Sequence, residues 1–420
     1  MIYLLIFIYL LYLSIHFDIL RKNGDKNLHF KIVIIILILV AGLRWRIGSD
    51  TVVYADDFIS YHDLFNLRIA DFESPIYMPL WVLVNSLCKT IWNDFVLVQF
   101  ITCFIHIILV SIFIRKVCPS LSFIILLYYY FFEYIIWNME QSRHSLAVSC
   151  FLISLLFLNK KQIWFTAFFW ICSVFCHVFS VIAIVSFVLY YKFIRGKKIR
   201  YIILFFCIGL VLTNIEWFGD LLTSGFIGVE GDIGEKIYFY AMNDNGVHGV
   251  REFVWKRFFK LIFMPLILLF TLEKIEYSKF ISLRKDIIEA IIFLYITFQI
   301  CNFSFGVFYR MSDFFCLISQ MLFVVLFMYL ANIIIYKQRC IVYLSMILIP
   351  IILVCYIYGK YENSIGGDYF TGDVRVYSRY YPYSSIFDKT IDSQREKLHQ
   401  FRGYGYTKST DYFLINKSYN

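Results

Sequence analysis

The chain has 420 residues, of which 60% are hydrophobic, 21% aromatic and only 16% charged. A soluble domain of this size could not bury so much apolar surface, so the composition indicates a protein that lies in lipid. The formal net charge of +9 is then expected in cytoplasmic loops rather than against a nucleic acid, and the chain contains no motif of a nucleic-acid-binding module.

The chain begins with the apolar run MIYLLIFIYLLYLSIHFDIL, which has no basic n-region and no small-residue cleavage site. We therefore interpret it as a membrane span and not as a removable signal peptide. Apolar runs of span length recur and predict an all-α polytopic membrane protein with about 12 transmembrane helices. The predicted spans lie near residues 2–20, 30–47, 95–114, 121–137, 144–159, 162–177, 178–194, 199–214, 258–272, 286–303, 313–335 and 340–358. Residues 1–358 are expected to form one transmembrane helical domain.

The segment 75–92 is interrupted by two prolines and an asparagine, which is typical of an interfacial or re-entrant helix. If it does not cross, every cytoplasmic loop is basic: RKNGDKNLHFK, RKVCPS, NKKQ, RGKKIR, EKIEYSKFISLRKD and YKQR. If it crosses, all later loops change sides and the positive-inside rule fails repeatedly. We therefore predict that both termini are extracytoplasmic. Residues 43–74, the long loop 215–257 and the C-terminal tail 359–420 are expected on the same outer face.

The 11 cysteines lie mostly inside apolar runs, and no pair has CxxC spacing. Cys172 and Cys176 are four residues apart on a helix face. Such thiols are typical small hydrophobes of a helical core. We expect no metal site and no cofactor.

Arginines gather at span ends on the predicted outer face: Arg44, Arg46, Arg143, Arg251 and Arg310. A single arginine there is equally well explained by a long stem that snorkels to the headgroups. Snorkelling does not explain the polar residues that accompany these arginines, namely Asp50, Glu140, His144 and His177. Their grouping favours a site for an anionic substrate.

The segment NMEQSRHSLAV (138–148) predicts a helix that starts on the outer face and runs inward, because Asn138 and Gln141 resemble a capping box. Glu140 and His144 are then on one face, with Arg143 in the first turn. A helix N-terminus and an arginine both favour phosphate. The alternative is an ordinary capped helix with a structural Glu–Arg pair.

Two further segments carry polar residues at predicted outer ends. His177 interrupts an apolar run about twice the length of one span, which predicts an outer turn; its alternative is a packing histidine. FGVFYRMSDFF (305–315) places Tyr309, Arg310 and Asp313 at a span start, with an interfacial aromatic anchor and a snorkelling arginine as the alternative.

The stretch GLRWRIGSDTVVYADDF (42–58) resembles the motif G-L-R-[YW]-x-[VI]-G-[ST]-D-x-x-x-Y of the EpsG family. This family is placed among the Wzy-type polymerases of exopolysaccharide, capsule and O-antigen. The blocks ESPIYMPLWVLVNSL, QSRHSLAVSCFLISLLFL, CHVFSVIAI and FYRMSDFF are also similar and follow in the same order. They span most of residues 40–320. His144 departs from the family, which more often has glutamine there.

The resemblance implies an enzyme with a glycosyltransferase-C-like fold in the bacterial cytoplasmic membrane. It would polymerise undecaprenyl-pyrophosphate-linked oligosaccharide repeat units at the outer face. Membrane lipid, a flippase and a chain-length regulator of the same pathway are the expected partners. A transporter or flippase of the same lipid-linked sugars, or another membrane transferase such as an O-antigen ligase, is the alternative. Charge at one face and the lack of an internal repeat favour an enzyme.

The resemblance also assigns roles to the outer residues. Arg44, Arg46, Arg143 and Arg310 would hold the pyrophosphate, with His144 nearby, and Trp45 and Tyr54 would offer surfaces for stacking sugar. Asp50 would orient an arginine or the acceptor. His177, which matches a family block, is the hypothesis for the base, with Asp50 and Glu140 as the other catalytic candidates.

Overall fold

The computed structural model describes residues 2–72, 78–195, 279–304, 308–333, 339–363 and 376–401. Every regular element in these ranges is helical, apart from one isolated β-bridge. Each of the other predicted spans overlaps a helix, whereas the spans near 199–214 and 258–272, the loop 215–257 and Arg251 lie outside the described residues.

The helices are numbered in chain order. The first six are α1 (Ile2–Leu13, continued by a π-helical turn Ser14–Ile19), α2 (Lys26–Gly42), α3 (Ser49–Ser60), α4 (Pro79–Ile91), α5 (Phe95–Val117) and α6 (Ser122–Tyr129, continued by π-helical turns Tyr130–Tyr134 and Ile136–Glu140). The next four are α7 (Ser142–Asn159), α8 (Ile163–Cys176), α9 (Phe179–Leu189, with a π-helical turn Tyr190–Ile194) and α10 (Lys285–Ser304). The last three are α11 (Phe308–Ile333), α12 (Arg339–Asn363) and α13 (Ser393–Phe401).

Four helical segments of the described chain are long and apolar enough to cross a membrane: Ile2–Ile19, Phe95–Val117, Ser142–Asn159 and Phe308–Ile333. Shorter apolar helices run beside them at Ile163–Cys176, Phe179–Ile194 and Arg339–Leu348. In α7 and α11 72% of the apolar window is buried, against 33% in the N-terminal segment. These two helices therefore form the centre of the bundle, and their polar residues face protein rather than lipid.

Four of the segments predicted as cytoplasmic loops lie together, as far as the structure describes them, at one end of the bundle, which we call the basic end. Arg115 in the last turn of α5 donates to Asn27 at the start of α2. Ser282 donates its backbone N–H to Val117 O at 2.9 Å, and the Arg284 N–H donates to Asn159 Oδ1 at 2.8 Å. These contacts join the loops before α2, after α5, after α7 and before α10, as the loop assignment requires.

The opposite end, which we call the tail end, consists of residues 43–61, 136–144, 308–313 and 376–401. Gln99 in the first turns of α5 donates to Gly42 O at 2.8 Å, so the C-terminal end of α2 lies beside the N-terminal end of α5. The chain between them therefore leaves and returns at the tail end. The one longer helix described in segment 75–92, α4, has 13 residues, fewer than a helix needs to cross a bilayer. The interpretation of 75–92 as a helix that does not cross agrees with this geometry.

Both described ends of the chain lie at the tail end. Tyr3 in α1 donates its hydroxyl to Tyr380 O at 3.2 Å. The segment 376–401 packs on the turn that follows α2, where Trp45 N–H donates to Ser384 O at 2.8 Å and Ile386 N–H to Leu43 O at 3.0 Å. The helix before this segment, α12, extends to Asn363, past the predicted domain boundary at residue 358.

Candidate functional site

The site begins where α7 starts. This helix starts at Ser142 and carries Arg143 and His144 in its first turn; the predicted helix is present, with Arg143 in its first turn, but it starts four residues after Asn138. The predicted capping box is wrong: Gln141 is the N-cap residue and makes no side-chain cap bond. The Asn138 amide instead donates to Tyr134 O at 2.8 Å in the preceding turn. Residues 136–140 form a π-helical turn, so Glu140 precedes α7 and does not share a face with His144.

A glycine turn fixes α3 against the start of α7. The Asp50 N–H donates to Glu140 Oε2 at 3.1 Å, and the Thr51 hydroxyl donates to Met139 O at 3.0 Å. Gly48 has φ +92°, and a Cβ there would lie 1.9 Å from Met139 O. Only glycine permits this approach, so Gly48 allows Asp50 to reach the turn that precedes α7.

Arg143 lies against two aromatic rings of the tail end. Its guanidinium is 5.0 Å from the ring centroid of Tyr54 and 5.9 Å from that of Trp81, and its Nε donates to the Tyr54 hydroxyl at 3.4 Å. Burial raises the pKa of Tyr54, so its phenol stays protonated at neutral pH. Arg143 is thus held as a cation beside apolar surface.

Arg310 at the start of α11 is half-buried, with its guanidinium 5.5 Å from the centroid of the Tyr309 ring. Within the part of the chain that the structure describes, this guanidinium has no hydrogen bond and no ion pair. Both Arg143 and Arg310 lie within electrostatic range of Asp50 and Tyr54. The starts of α7 and α11 therefore place two guanidinium groups near the same two side chains.

A second polar pair joins α7 and α11, formed by His144, the residue after Arg143, and Asp313, one helical turn after Arg310. His144 Nε2 is 3.2 Å from Asp313 Oδ2, and the His144 side chain is 1% exposed. The His144 ring also packs edge-on against His177, with 5.0 Å between ring centroids. His177 caps α8 between α8 and α9, which confirms the predicted turn, and its Nδ1 accepts from the Phe179 N–H at 3.3 Å.

The structure gives Arg44 and Arg46 protein partners instead of bringing them to Arg143 and Arg310. Arg44 is 2% exposed and donates to Ala41 O at 2.5 Å and to Thr51 Oγ1 at 3.0 Å. Arg46 forms a two-point ion pair with Glu396 of α13, with 2.8 Å between Nε and Oε1. Both guanidinium groups hold the turn after α2 in place.

Trp45 and Glu140 lie under the C-terminal segment. The Trp45 ring is 9% exposed and is covered by Lys389, whose Nζ is 5.1 Å from the ring centroid. Glu140 Oε1 accepts from the Tyr380 hydroxyl at 2.8 Å, and Glu140 Oε2 accepts from the Asp50 backbone N–H. In this arrangement Trp45 offers no open stacking face, and the Glu140 carboxylate connects the C-terminal segment to α3.

Several residues of the site and its surroundings were given no role in binding or catalysis from sequence: Tyr309, Trp81, Gln141, Asp313, Glu133 and Glu396. Asp313 follows Arg310 by one helical turn, and Glu133 is an acid inside an apolar span, which is itself a sign of function. Glu396 gave no signal, because its partner is 350 residues away. Among the residues described, no group of three or more His, Cys, Asp or Glu side chains is placed to hold a metal ion.

Comparisons with known proteins found one relationship. No curated protein matches the chain, and no solved structure matches it. The EpsG family matches over residues 27–391, a range that includes the turn after α2, the starts of α7 and α11, and the C-terminal segment up to the residues before α13. The chain belongs to the EpsG family.

Proposed function

We propose that this protein is a Wzy-like polysaccharide polymerase of the cytoplasmic membrane. It transfers a growing glycan from undecaprenyl pyrophosphate to a sugar hydroxyl of an incoming lipid-linked repeat unit, at the outer face. Membership of the EpsG family and the long apolar helices support a membrane enzyme of polysaccharide biosynthesis. The tail end, opposite the basic loops, is the outer face by the positive-inside rule.

The observation that carries this proposal is the pairing of Arg143 and Arg310 at the starts of the two central helices. Arg310 has no hydrogen-bond partner in the described chain, although it is half-buried. Burial of a cation without a partner is unfavourable, so an anionic substrate would satisfy it. Arg143 is the second residue of α7, where the free N–H groups of the helix also favour an anion.

A pyrophosphate suits this arrangement better than a single phosphate does. Its two phosphates offer oxygens to two guanidinium forks, and each fork binds oxygens in pairs. Negative charge builds up on the pyrophosphate as the glycosidic carbon leaves it. Positioned cations lower the barrier when they act on charge that develops in the transition state. Arg143 and Arg310 are therefore assigned to the leaving group.

The other residues predicted from sequence take supporting roles in this proposal. Tyr54 and Trp81 hold Arg143 and form the aromatic surface nearest to it. Asp50 lies within range of both arginines and limits their movement. Arg44 and Arg46 keep the turn after α2 folded, so they act on the substrate only through Asp50 and Tyr54.

The test is polymerisation by the purified full-length protein in detergent, with a purified lipid-linked repeat unit as the sole sugar substrate. Arg143→Lys and Arg310→Lys keep the charge but remove the fork, so we expect weaker donor binding and a rate at least tenfold lower. Arg143→Ala and Arg310→Ala should form no polymer. The matched control is Arg68→Ala, since Arg68 is exposed and lies in the segment after α3.

The same assay separates the competing functions. A flippase moves its substrate across a bilayer and would form no glycosidic bond in detergent. A ligase would need a different acceptor lipid, and adding one would be required for any product. Polymer from the repeat unit alone supports the proposal. Wild-type rates in both alanine variants would remove the arginine pair from the site.

A further inference from the structure

The proposed reaction, on which this inference rests, needs a group that takes a proton. The O–H bond of the acceptor breaks and its oxygen bonds to the anomeric carbon of the donor. The bond from that carbon to the pyrophosphate oxygen breaks, and its electron pair leaves with undecaprenyl pyrophosphate. The acceptor proton must pass to a base close to the arginine pair. No external oxidant or other reactant is needed.

A line of polar residues leads inward from Arg310 along α11. Asp313, Cys316 and Gln320 follow at helical spacing on one face. Opposite them, Glu133 of the turn after α6 accepts from Gln320 Nε2 at 2.7 Å and from Cys316 Sγ at 3.4 Å. Ionisable residues inside a membrane bundle are costly and are generally retained for function.

Asp313 and His144 are incompletely satisfied within the described chain. Both ring nitrogens of His144 lack a hydrogen-bond partner, and so does Asp313 Oδ2. His144 Nε2 and Asp313 Oδ2 are 3.2 Å apart, but their geometry is not that of a hydrogen bond. Buried polar atoms without partners are unfavourable and call for an explanation. Asp313 Oδ2 is itself enclosed by protein, so a ligand would meet this side chain at its exposed part.

Exposure separates the two members of this pair. The Asp313 side chain is 12% exposed, whereas that of His144 is 1% exposed. A substrate hydroxyl can therefore approach the carboxylate, while the imidazole lies behind it. Arg310 is one helical turn away on the same helix, so a donor bound there would bring its anomeric carbon near Asp313.

We propose that Asp313 is the base that takes the proton of the acceptor hydroxyl, and that His144 is a positioning residue that orients its carboxylate. His177 then supports the His144 ring from its edge and does not contact the substrate. Glu140 is a poorer choice for this role because both of its oxygens already accept hydrogen bonds.

Asp313 has charged neighbours of both signs. Glu133 brings a second carboxyl group within electrostatic range of it, and Arg310 brings a positive charge. The titratable or charged groups that face Asp313 are Tyr309, Arg310 and Cys316 from its own helix, His144 from α7, Glu133 after α6 and Tyr295 from α10.

The experiment measures donor binding and the single-turnover rate separately in purified Asp313→Asn, Asp313→Glu and His144→Gln proteins. D313N keeps the size of the side chain and removes the base. We expect a rate about 10² to 10⁴-fold lower, as is typical for loss of a general base, with donor affinity within a few-fold of wild type. The matched control is Glu289→Gln near the basic end, which makes the same chemical change and should leave the rate unchanged.

Two further readouts distinguish proton transfer from a structural role. D313E should retain activity with a shifted acidic limb in its pH–rate profile, because a carboxyl group is still present. D313A should be rescued by added azide or formate in a concentration-dependent manner, since a small base can occupy the space. H144Q should shift the acidic limb while donor affinity remains unchanged.

A folded D313N protein within a few-fold of the wild-type rate overturns the proposal, as does loss of donor binding in parallel with rate. If D313N does not fold, two other results together overturn the proposal. These are a pH–rate profile of D313E identical to that of wild type, and a D313A protein whose activity azide and formate do not restore. Failure of the proposed function is distinct, because the wild-type protein would then form no polymer at all.

Discussion

Arg44 and Arg395 bury their guanidinium groups almost completely, with exposures of 2% and 1%. Both use their donors on backbone carbonyls: Arg44 on Ala41 and Ile47, and Arg395 on Ser378 and Pro382. A buried guanidinium is tolerated when its N–H groups meet acceptors. The same residue type therefore has a structural role at Arg44 and a proposed binding role at Arg310.

The structural role of Arg44 predicts a loss of stability upon substitution. Arg44→Ala removes the donors to Ala41 O and to Thr51 Oγ1 and one of two donors to Ile47 O, and each buried group left without a partner costs about 1–3 kcal/mol of the free energy of unfolding. We expect a lower thermal midpoint in detergent, but unchanged donor affinity for the fraction that remains folded.

The matched comparison for Arg44→Ala is Arg143→Ala, for which we expect the larger effect on donor binding rather than on stability. There, donor affinity should fall while the thermal midpoint changes less. An Arg44→Ala protein as stable as wild type but unable to bind the donor would return Arg44 to the pyrophosphate site.

Helix α13 binds the C-terminal segment to the turn after α2. Glu396 pairs with Arg46, and His399 lies one turn further on with 3% exposure, its Nε2 3.4 Å from Arg46 O. Tyr380 reaches Glu140 from the other side of the segment. The segment therefore covers the turn whose other face positions Asp50.

This docking should weaken in acid. Burial lowers the pKa of His399 from 6.5 to about 4, with Glu396, Arg46 and Glu140 as its charged neighbours. The docked segment keeps His399 neutral, whereas a detached segment takes up a proton below about pH 6.5. Docking is therefore fully stabilised above pH 6.5 and progressively loses that stabilisation between pH 6.5 and 4.

Hydrogen exchange of the Ile386 amide, which donates to Leu43 O, measures the docking after correction for the intrinsic rate. We expect protection to decrease from pH 6.5 to 4 in wild type and to change less in His399→Gln. An equal pH dependence in both proteins would remove His399 as the cause.

For the whole molecule, the important feature is the separation of the two ends. The basic loops contact one another at one end, while both described chain ends, the arginine pair and the C-terminal segment share the other. In a membrane this polarity sets the orientation, because basic loops remain in the cytoplasm. The predicted orientation places the arginine pair at the outer end of the bundle, as the proposed function requires.

Cysteine labelling of a cysteine-free protein in intact spheroplasts tests this orientation. Phe387→Cys in the tail end and Phe65→Cys in the segment that follows α3 are suitable sites because these side chains are 82% and 88% exposed. We expect an impermeant reagent to label both before lysis. Lys22→Cys and Lys160→Cys, which are exposed at the basic end, should be labelled only after lysis. The opposite pattern would reverse the orientation and contradict an outer-face site.

The sequence alone determined the helical class, the spans that the described residues cover, the basic loops and the helix start at Arg143. These features are local, since the length of an apolar run and the charges beside it are read within about 20 residues. The motif at 42–58 was also enough to indicate the family. The orientation of the bundle, its span count and the glycosyltransferase-C-like fold stay predictions.

Only the tertiary structure decided which polar groups meet. Arg46 pairs with Glu396, a residue 350 positions away, and no local pattern reports a partner at that distance. Arg44 and Arg143 are alike as arginines at span ends, but one meets carbonyls of its own turn and the other meets aromatic rings. A guanidinium binds a ligand only when folding leaves its donors unused, and that depends on packing between distant helices.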